Sequence, residues 1–237
     1  MIITIHQPEH LPWLGFLNKA AKADLFVILD SVQFEKNYFQ NRNRILGTNG
    51  VQWIGIPVSL SGHMNASIAE TLISNVDKKW REKYLRTIQM SYSKYPYFNE
   101  VYPLIEESIG IETDHFSDIN IAIIEKLFDK LEIKCDIVLS SKLNVEGLKS
   151  DLILDICKKT NADAYIAGPF GRDYLNLSDF NNERIKVYYN DYEHPVYEQK
   201  RSNEFISHLS GIDLFMNVGF IEGKKIMMQG NEGLSEE

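Results

Sequence analysis

Two histidines, a glutamine and a glutamate stand together in "HQPEH" (6–10), between an apolar run and a stretch with helical spacing. Imidazole titrates near neutrality, so His6 or His10 suits general-base catalysis or hydrogen-bond donation. Metal binding by the pair would need a continuous helical turn, which Pro8 and Pro12 disfavour. No acidic or cysteine partner stands at a ligand-like offset, so no metal is expected. A second constellation, "DSVQFEKNYFQNRNRILGTNG" (30–50), gathers Asp30, Gln33, Lys36, Asn37, Gln40, Asn41, Arg42, Asn43 and Arg44 around Phe34, Tyr38 and Phe39. Guanidinium forks pair bidentately with planar anions, and aromatic rings stack on bases or sugar faces. A polar surface loop with aromatic anchors is the plainer alternative. A third, "GPFGRDY" (168–174), sets Gly168, Arg172 and Tyr174 after an apolar run. Its backbone N–H groups suit a phosphate, although a tight turn explains it more simply. His63, His115, His194 and His208 have no neighbouring constellation and read as structural.

Elements must position these groups. "IITIH" (2–6) and "DLFVILD" (24–30) are short β-rich runs about a helix length apart. Between them Pro12 fits the first turn of a helix that buries Trp13, Leu14, Phe16, Leu17, Ala20 and Ala21. Asn18, Lys19 and Lys22 fall on its other face. This is a β-α-β opening with parallel strands. "VQWIGIPVSL" (51–60) reads as another strand, with Pro57 at an edge or end. Residues 77–131 read as helical, with Asp77 capping the first helix and Ser117 or Asp118 the last. The basic residues Lys78, Lys79, Arg81, Lys83 and Arg86 read as a solvated helix face. Then the alternation returns: strand "CDIVLSS", helix "GLKSDLILDICKKTN", strand "DAYIAG", strand "RIKVYYND" and helix "SNEFISHLSGIDLFMNVG". Such alternation predicts an α/β fold, a doubly wound, mostly parallel sheet with a helical insertion or cap at 77–131. One domain spans 1–229, and 230–237 reads as a flexible acidic tail.

In open α/β sheets ligands bind beyond the carboxyl ends of the strands. That rule collects His6, Gln7, Glu9 and His10 from the first strand, and Asp30, Ser31 and Gln33 from the second. Gly168, Gly171, Arg172 and Tyr174 come from a third strand, and Asn190 and Asp191 from the last.

The 237-residue chain can bury its own core, and its net charge of -8 opposes sequence-independent nucleic-acid binding. It contains no long apolar span and no signal-peptide pattern, so neither membrane insertion nor export is expected. Cys135 and Cys157 lie among apolar neighbours, which fits buried thiols in a cytoplasmic protein. The phosphate-loop, dinucleotide-fingerprint and hydrolase-elbow patterns are absent.

Read whole, "HQPEHLPWLGFLNKAAKADLFVILDSVQFEKNYFQNRNRI" resembles the opening of the WbqC-like proteins. Gln7, Pro8, Pro12, Trp13, Gly15, Asp30, Val32, Gln33, Phe34, Gln40, Arg42 and Ile45 fill the positions of that pattern. "SKYPYF", "AYIAGPFGRDYL", "YEHPVYEQ" and "HLSGIDLFMNVG" look like its later blocks. His10 stands where an aromatic is common, which moves weight from His10 toward Gln7. The resemblance implies a role in bacterial surface-polysaccharide biosynthesis: acyl or aminoacyl transfer to a nucleotide-linked amino sugar. The candidate catalytic residues are then His6, His10 and Asp30. Gln7, Gln33, Asn41, Arg42, Arg44, Gly168, Arg172 and Tyr174 would bind substrate. The implied co-substrate is an acyl or aminoacyl donor, and self-association into a homo-oligomer is left open. Two rival readings stand beside it. One is a nucleotidylyltransferase-like enzyme, with His10 on the triphosphate, where Glu9 would oppose the charge. The other is a non-catalytic sugar-binding or scaffold protein.

Overall fold

The computed structural model describes residues 1–59, 65–231 and 233–236. Leu60, the end of one expected strand, and His63 lie outside the described residues. Five parallel strands form the central sheet: β1 (Ile2–His6), β2 (Leu25–Ile28), β7 (Asp136–Leu139), β8 (Ala164–Ala167) and β9 (Lys186–Tyr189). A two-residue edge strand, β10 (Ser235–Glu236), pairs antiparallel with β9 and gives the order β10-β9-β8-β1-β2-β7. The acidic tail therefore returns to the sheet at Ser235.

Helices cover both faces. Ile3, Ile5 and Val27 pack with Leu152, Ile153, Ile156 and Cys157 of α5 (Ser150–Lys159) and Phe180 of α6 (Leu177–Asn182). Phe26 and Ile28, pointing the other way along the pleat, join the larger core. That core is built from α1 (Leu14–Ala20), α2 (Trp80–Tyr92), α3 (Phe98–Ile109), α4 (Phe116–Lys130) and α7 (Ile212–Gln229). The sheet is thus doubly wound, and the helical block at 77–131 is present as α2, α3 and α4.

Several local expectations are corrected. Helix α1 starts at Leu14, with extended Trp13 as its N-cap, so Pro12 precedes the helix. Its supposed polar face is buried too. Asn18 donates to the carbonyls of Met227 and Asn231, where α7 and the tail close over it, and Lys19 Nζ donates to the carbonyl of Ile5 in β1. The polar loop after β2 is half strand: β3 (Arg42–Gly47) pairs with β4 (Gly50–Gly55) in a separate hairpin. A shorter antiparallel pair, β5 (Val58–Ser59) with β6 (Leu72–Ile73), follows Pro57. Asp77 accepts from the Lys79 N–H ahead of α2, and the N-cap of α4 is His115, while Asp118 accepts from Thr113. The last helix begins at Ile212, ten residues later than expected, after His208 adopts φ 58 and Ser210 and Gly211 interrupt helical propensity. It kinks at Gly219, whose φ of 77 lies in the left-handed region.

Candidate functional site

Strand order reverses direction at β1, whose neighbours are β2 on one side and β8 on the other. This is the topological switch point, where open α/β sheets bind ligands beyond the strand carboxyl ends. Thr4 aligns with Ile166, so continuing the parallel register sets His6 beside Gly168. An added Cβ at Gly168 would meet no atom within 4 Å, so its side of the crevice is open.

"HQPEHLP" leaves β1 along a path held from several directions. Leu11 takes φ 45, a strained conformation for a branched residue. Asn43 of β3 holds it there, donating to the carbonyls of His10 (3.1 Å) and Leu11 (2.9 Å). The His10 N–H donates to Phe39 O, and the Gly211 N–H to Pro12 O. Behind the loop, Asn120 of α4 donates to the carbonyls of Pro8 and Gln40. Gln40 Nε2 donates to Gln7 Oε1 at 2.8 Å, leaving the Gln7 amide nitrogen as the end that can donate to a ligand.

Within this frame Glu9 is the buried group with hydrogen-bonding capacity left over. It is 7% exposed, and its Oε2 has no hydrogen-bond partner. Desolvation pushes its carboxyl up to about 7, partly offset by the Lys19 charge and the Trp13 backbone N–H. Lys19, also buried, is pulled down to about 8 by desolvation, with Glu9 opposing the shift. His6 Nε2 stands 3.8 Å from Glu9 Oε1, and the His6 side chain keeps 31% of its surface. Its Nδ1 pairs with Gln7 O at 3.0 Å; donation there leaves Nε2 as the acceptor facing Glu9. Desolvation, with the Lys19 charge second, holds His6 neutral below its ordinary range. The site therefore carries a carboxyl that titrates at physiological pH beside an unprotonated imidazole, an arrangement suited to moving a proton.

The other expected residues divide plainly. His10 is fully buried, with Nδ1 on Asn120 Oδ1 and Nε2 on Tyr84 OH, both at 2.8 Å. It is a bracing residue that no substrate reaches, which also removes the proposed triphosphate contact. Asp30 accepts from Ser140 Oγ, Ser141 N and Ser141 Oγ, so its carboxylate anchors the turn after β7. Gln33 is exposed and bridges Ser67. Arg44 donates to His208 O and is not among the residues lining the grooves described next. Arg172 grips Asp191 bidentately at 2.7 and 3.0 Å above the Tyr189 ring, and Tyr174 shares a hydroxyl hydrogen bond with Tyr165. "GPFG" is the tight turn, closed by Gly171 N–H on Gly168 O.

Arg42 and Asn41 do reach open space: they line a groove of about 440 Å³ and a neighbouring cavity of about 320 Å³. Through Gln40 they are joined to Gln7. Sequence reasoning placed Glu9 at the carboxyl end of the first strand without giving it a role, and it read Lys19 as part of a polar helix face. Glu9 had a signal, an acidic residue framed by two prolines, whereas Lys19 looked solvated but turns toward Ile5 O of β1.

Among the described residues no helix is long and apolar enough to cross a membrane, and no cluster of three metal-ligating side chains occurs. The family model described as the WbqC-like protein family matches residues 7–225. The uncharacterized protein Rv1507c of Mycobacterium tuberculosis is 29% identical over 219 residues, covering 92% of this chain and 94% of the relative.

Proposed function

Because the chain belongs to the WbqC-like protein family, we propose that it is a transferase of bacterial surface-polysaccharide biosynthesis. It acylates or aminoacylates the amino group of a nucleotide-linked amino sugar, working in the cytoplasm. The observation that carries this reading is the buried, unpartnered Glu9 oxygen beside His6 at the β1–β8 switch point. Amide formation from an ammonium needs a base that works near neutral pH, and Glu9 supplies one.

The sugar ammonium gives one proton to the Glu9 carboxylate. Its lone pair then attacks the acyl carbon of an activated ester or thioester, the co-substrate. Gln7 and backbone N–H groups donate to the oxyanion of the tetrahedral intermediate. As that intermediate collapses, the carbon–oxygen or carbon–sulfur bond breaks. The nitrogen sheds its second proton to His6 Nε2, and the leaving group recovers one proton from the pair. One proton is released in net to solvent. Arg42 and Asn41 hold the anionic half of the substrate.

Mass-spectrometric detection of an amide-linked product, with nucleotide-linked amino sugars and acyl-thioester or aminoacyl-ester donors, tests the reading. The wild type forms the product, and Glu9→Gln forms it about 100-fold or more slowly. Failure with every donor class, or undiminished turnover by Glu9→Gln, would falsify it.

A further inference from the structure

Arg42 stands between two concavities of different chemistry. The groove between hairpin β3–β4 and α2 holds three aromatic rings, Trp53, Trp80 and Tyr84. Its charged residues Asp77 and Lys83 pair with each other at 2.6 Å. Among the described residues the smaller cavity is walled by Phe34, Lys36, Asn37, Asn41, Arg42 and Val58: two cations, two amides and no carboxylate. Asn41 and Arg42 line both. The Arg42 guanidinium lies 4.2 Å from the centroid of Trp53, which still keeps 47% of its surface. Arg42 Nη2 donates to Asn37 O at 2.6 Å, while its Nε is buried with no acceptor. An apolar ring surface and an unsatisfied guanidinium donor are thus set side by side, in a chain whose overall charge is -8.

We propose that these two concavities together bind a nucleotide, its base on Trp53 in the larger groove and its phosphate on Arg42 and Lys36 in the smaller. Sites for small ligands run from roughly 300 to 1,000 Å³, a range that includes both spaces. The fork geometry of the Arg42 guanidinium suits a phosphate oxygen. An aromatic strip leads from this place toward the acid–base pair: Trp53 packs on Phe39 at 5.7 Å, and Phe39 on Tyr38 at 5.6 Å. The Tyr38 phenol is raised by desolvation, and after that by the charges of Glu9 and Glu35. Only the further step of identifying this nucleotide as the carrier of the reacting amino sugar rests on the function proposed above.

Calorimetric titration of the full chain with UMP, CMP, AMP, GMP and dTMP, and with uridine and inorganic phosphate, tests the site. At least one monophosphate binds with Kd below about 1 mM, and its separate halves bind at least tenfold more weakly. Arg42→Gln weakens the monophosphate about tenfold or more. Trp53→Ala also weakens it but leaves inorganic phosphate unchanged; both side chains are partly exposed, so the fold survives their loss. Absence of binding by all five monophosphates, or binding indifferent to both substitutions, overturns the proposal. Amide formation without nucleotide binding would sink this site and spare the proposed reaction. Nucleotide binding without any amide product would do the reverse.

Discussion

Three ionisable side chains, His6, Glu9 and His10, lie within a few residues of each other, and burial assigns them different work. His10 has both nitrogens committed and is held neutral, pushed down to about 4 by desolvation against the opposing Asn120 bond. A depressed pKa means that the unfolded chain binds the proton more readily. The stabilising share of neutral His10 is therefore complete above about pH 6.5 and is lost as pH falls through 4, to the extent of ~3 kcal/mol. His10→Gln should flatten that acid limb in urea unfolding. His10→Ala, which strands Asn120 Oδ1 and Tyr84 OH, should cost roughly 2–5 kcal/mol at pH 7. Glu9 is the opposite case, buried with an oxygen unused. Glu9→Gln keeps the shape of the side chain and removes the base, so turnover should drop about 100- to 10,000-fold with ligand affinity retained. The same variant should lose the pH–rate limb that rises through about 7 in the wild type. The sequence singled out the histidines because their ordinary pKa draws attention. Which group titrates near neutrality is decided by desolvation, and desolvation is a property of the folded surroundings.

At the scale of elements, α1 carries the most information. Its N-cap Trp13 lays its ring over Gly15, where an added Cβ would sit 2.3 to 2.7 Å from three ring atoms. The same ring stacks on His208 and meets Tyr192 edge-on, so Gly15 is small because the indole needs the space. Gly15→Ala should displace Trp13, cost ~1–3 kcal/mol in urea unfolding and shift the tryptophan emission. An unchanged spectrum and stability would show that the ring is not packed there. The proline-aromatic-x-glycine spacing was visible in the sequence; its steric reason was not. The strands and the helical block could be read from their periodicity. Strand β4 was legible within 51–60, but its partner β3 was not, because Arg42, Asn43 and Arg44 look like loop chemistry until Asn43 turns inward to hold the first motif. Asn120 left a readable trace, a lone amide inside the apolar stripe Phe116, Ile119, Ile123, Ile124 and Leu127. The start of α7 was misread because the chain from 202 to 211 contains helix-compatible residues but folds back on Gln199 and Arg44 instead.

For the whole molecule, topology does what no single residue can. Placing β1 between β2 and β8 brings residues more than 160 positions apart to one crevice, as in the pairing of Thr4 with Ile166. The α/β class followed from alternation, but strand order is set by which helices pack on which face, and a single sequence does not display that. The tail illustrates the same limit. Its composition suggested fraying, yet Ser235 lies opposite Tyr189, and Gly233 and Asn231 accept bonds from Lys22 and Asn18. This assembly buries Glu9 as a proton acceptor poised near neutrality, and the cost of that burial is written into global stability. A carboxyl raised to about 7 contributes stability that is fully present below pH 4.5 and lost as pH rises through 7. Urea unfolding of the wild type and Glu9→Gln across pH 4 to 9 should therefore show the wild type losing ~3 kcal/mol relative to the variant, with the loss levelling off above pH 7. A difference that is flat, or that favours the wild type increasingly as pH rises, would contradict the account.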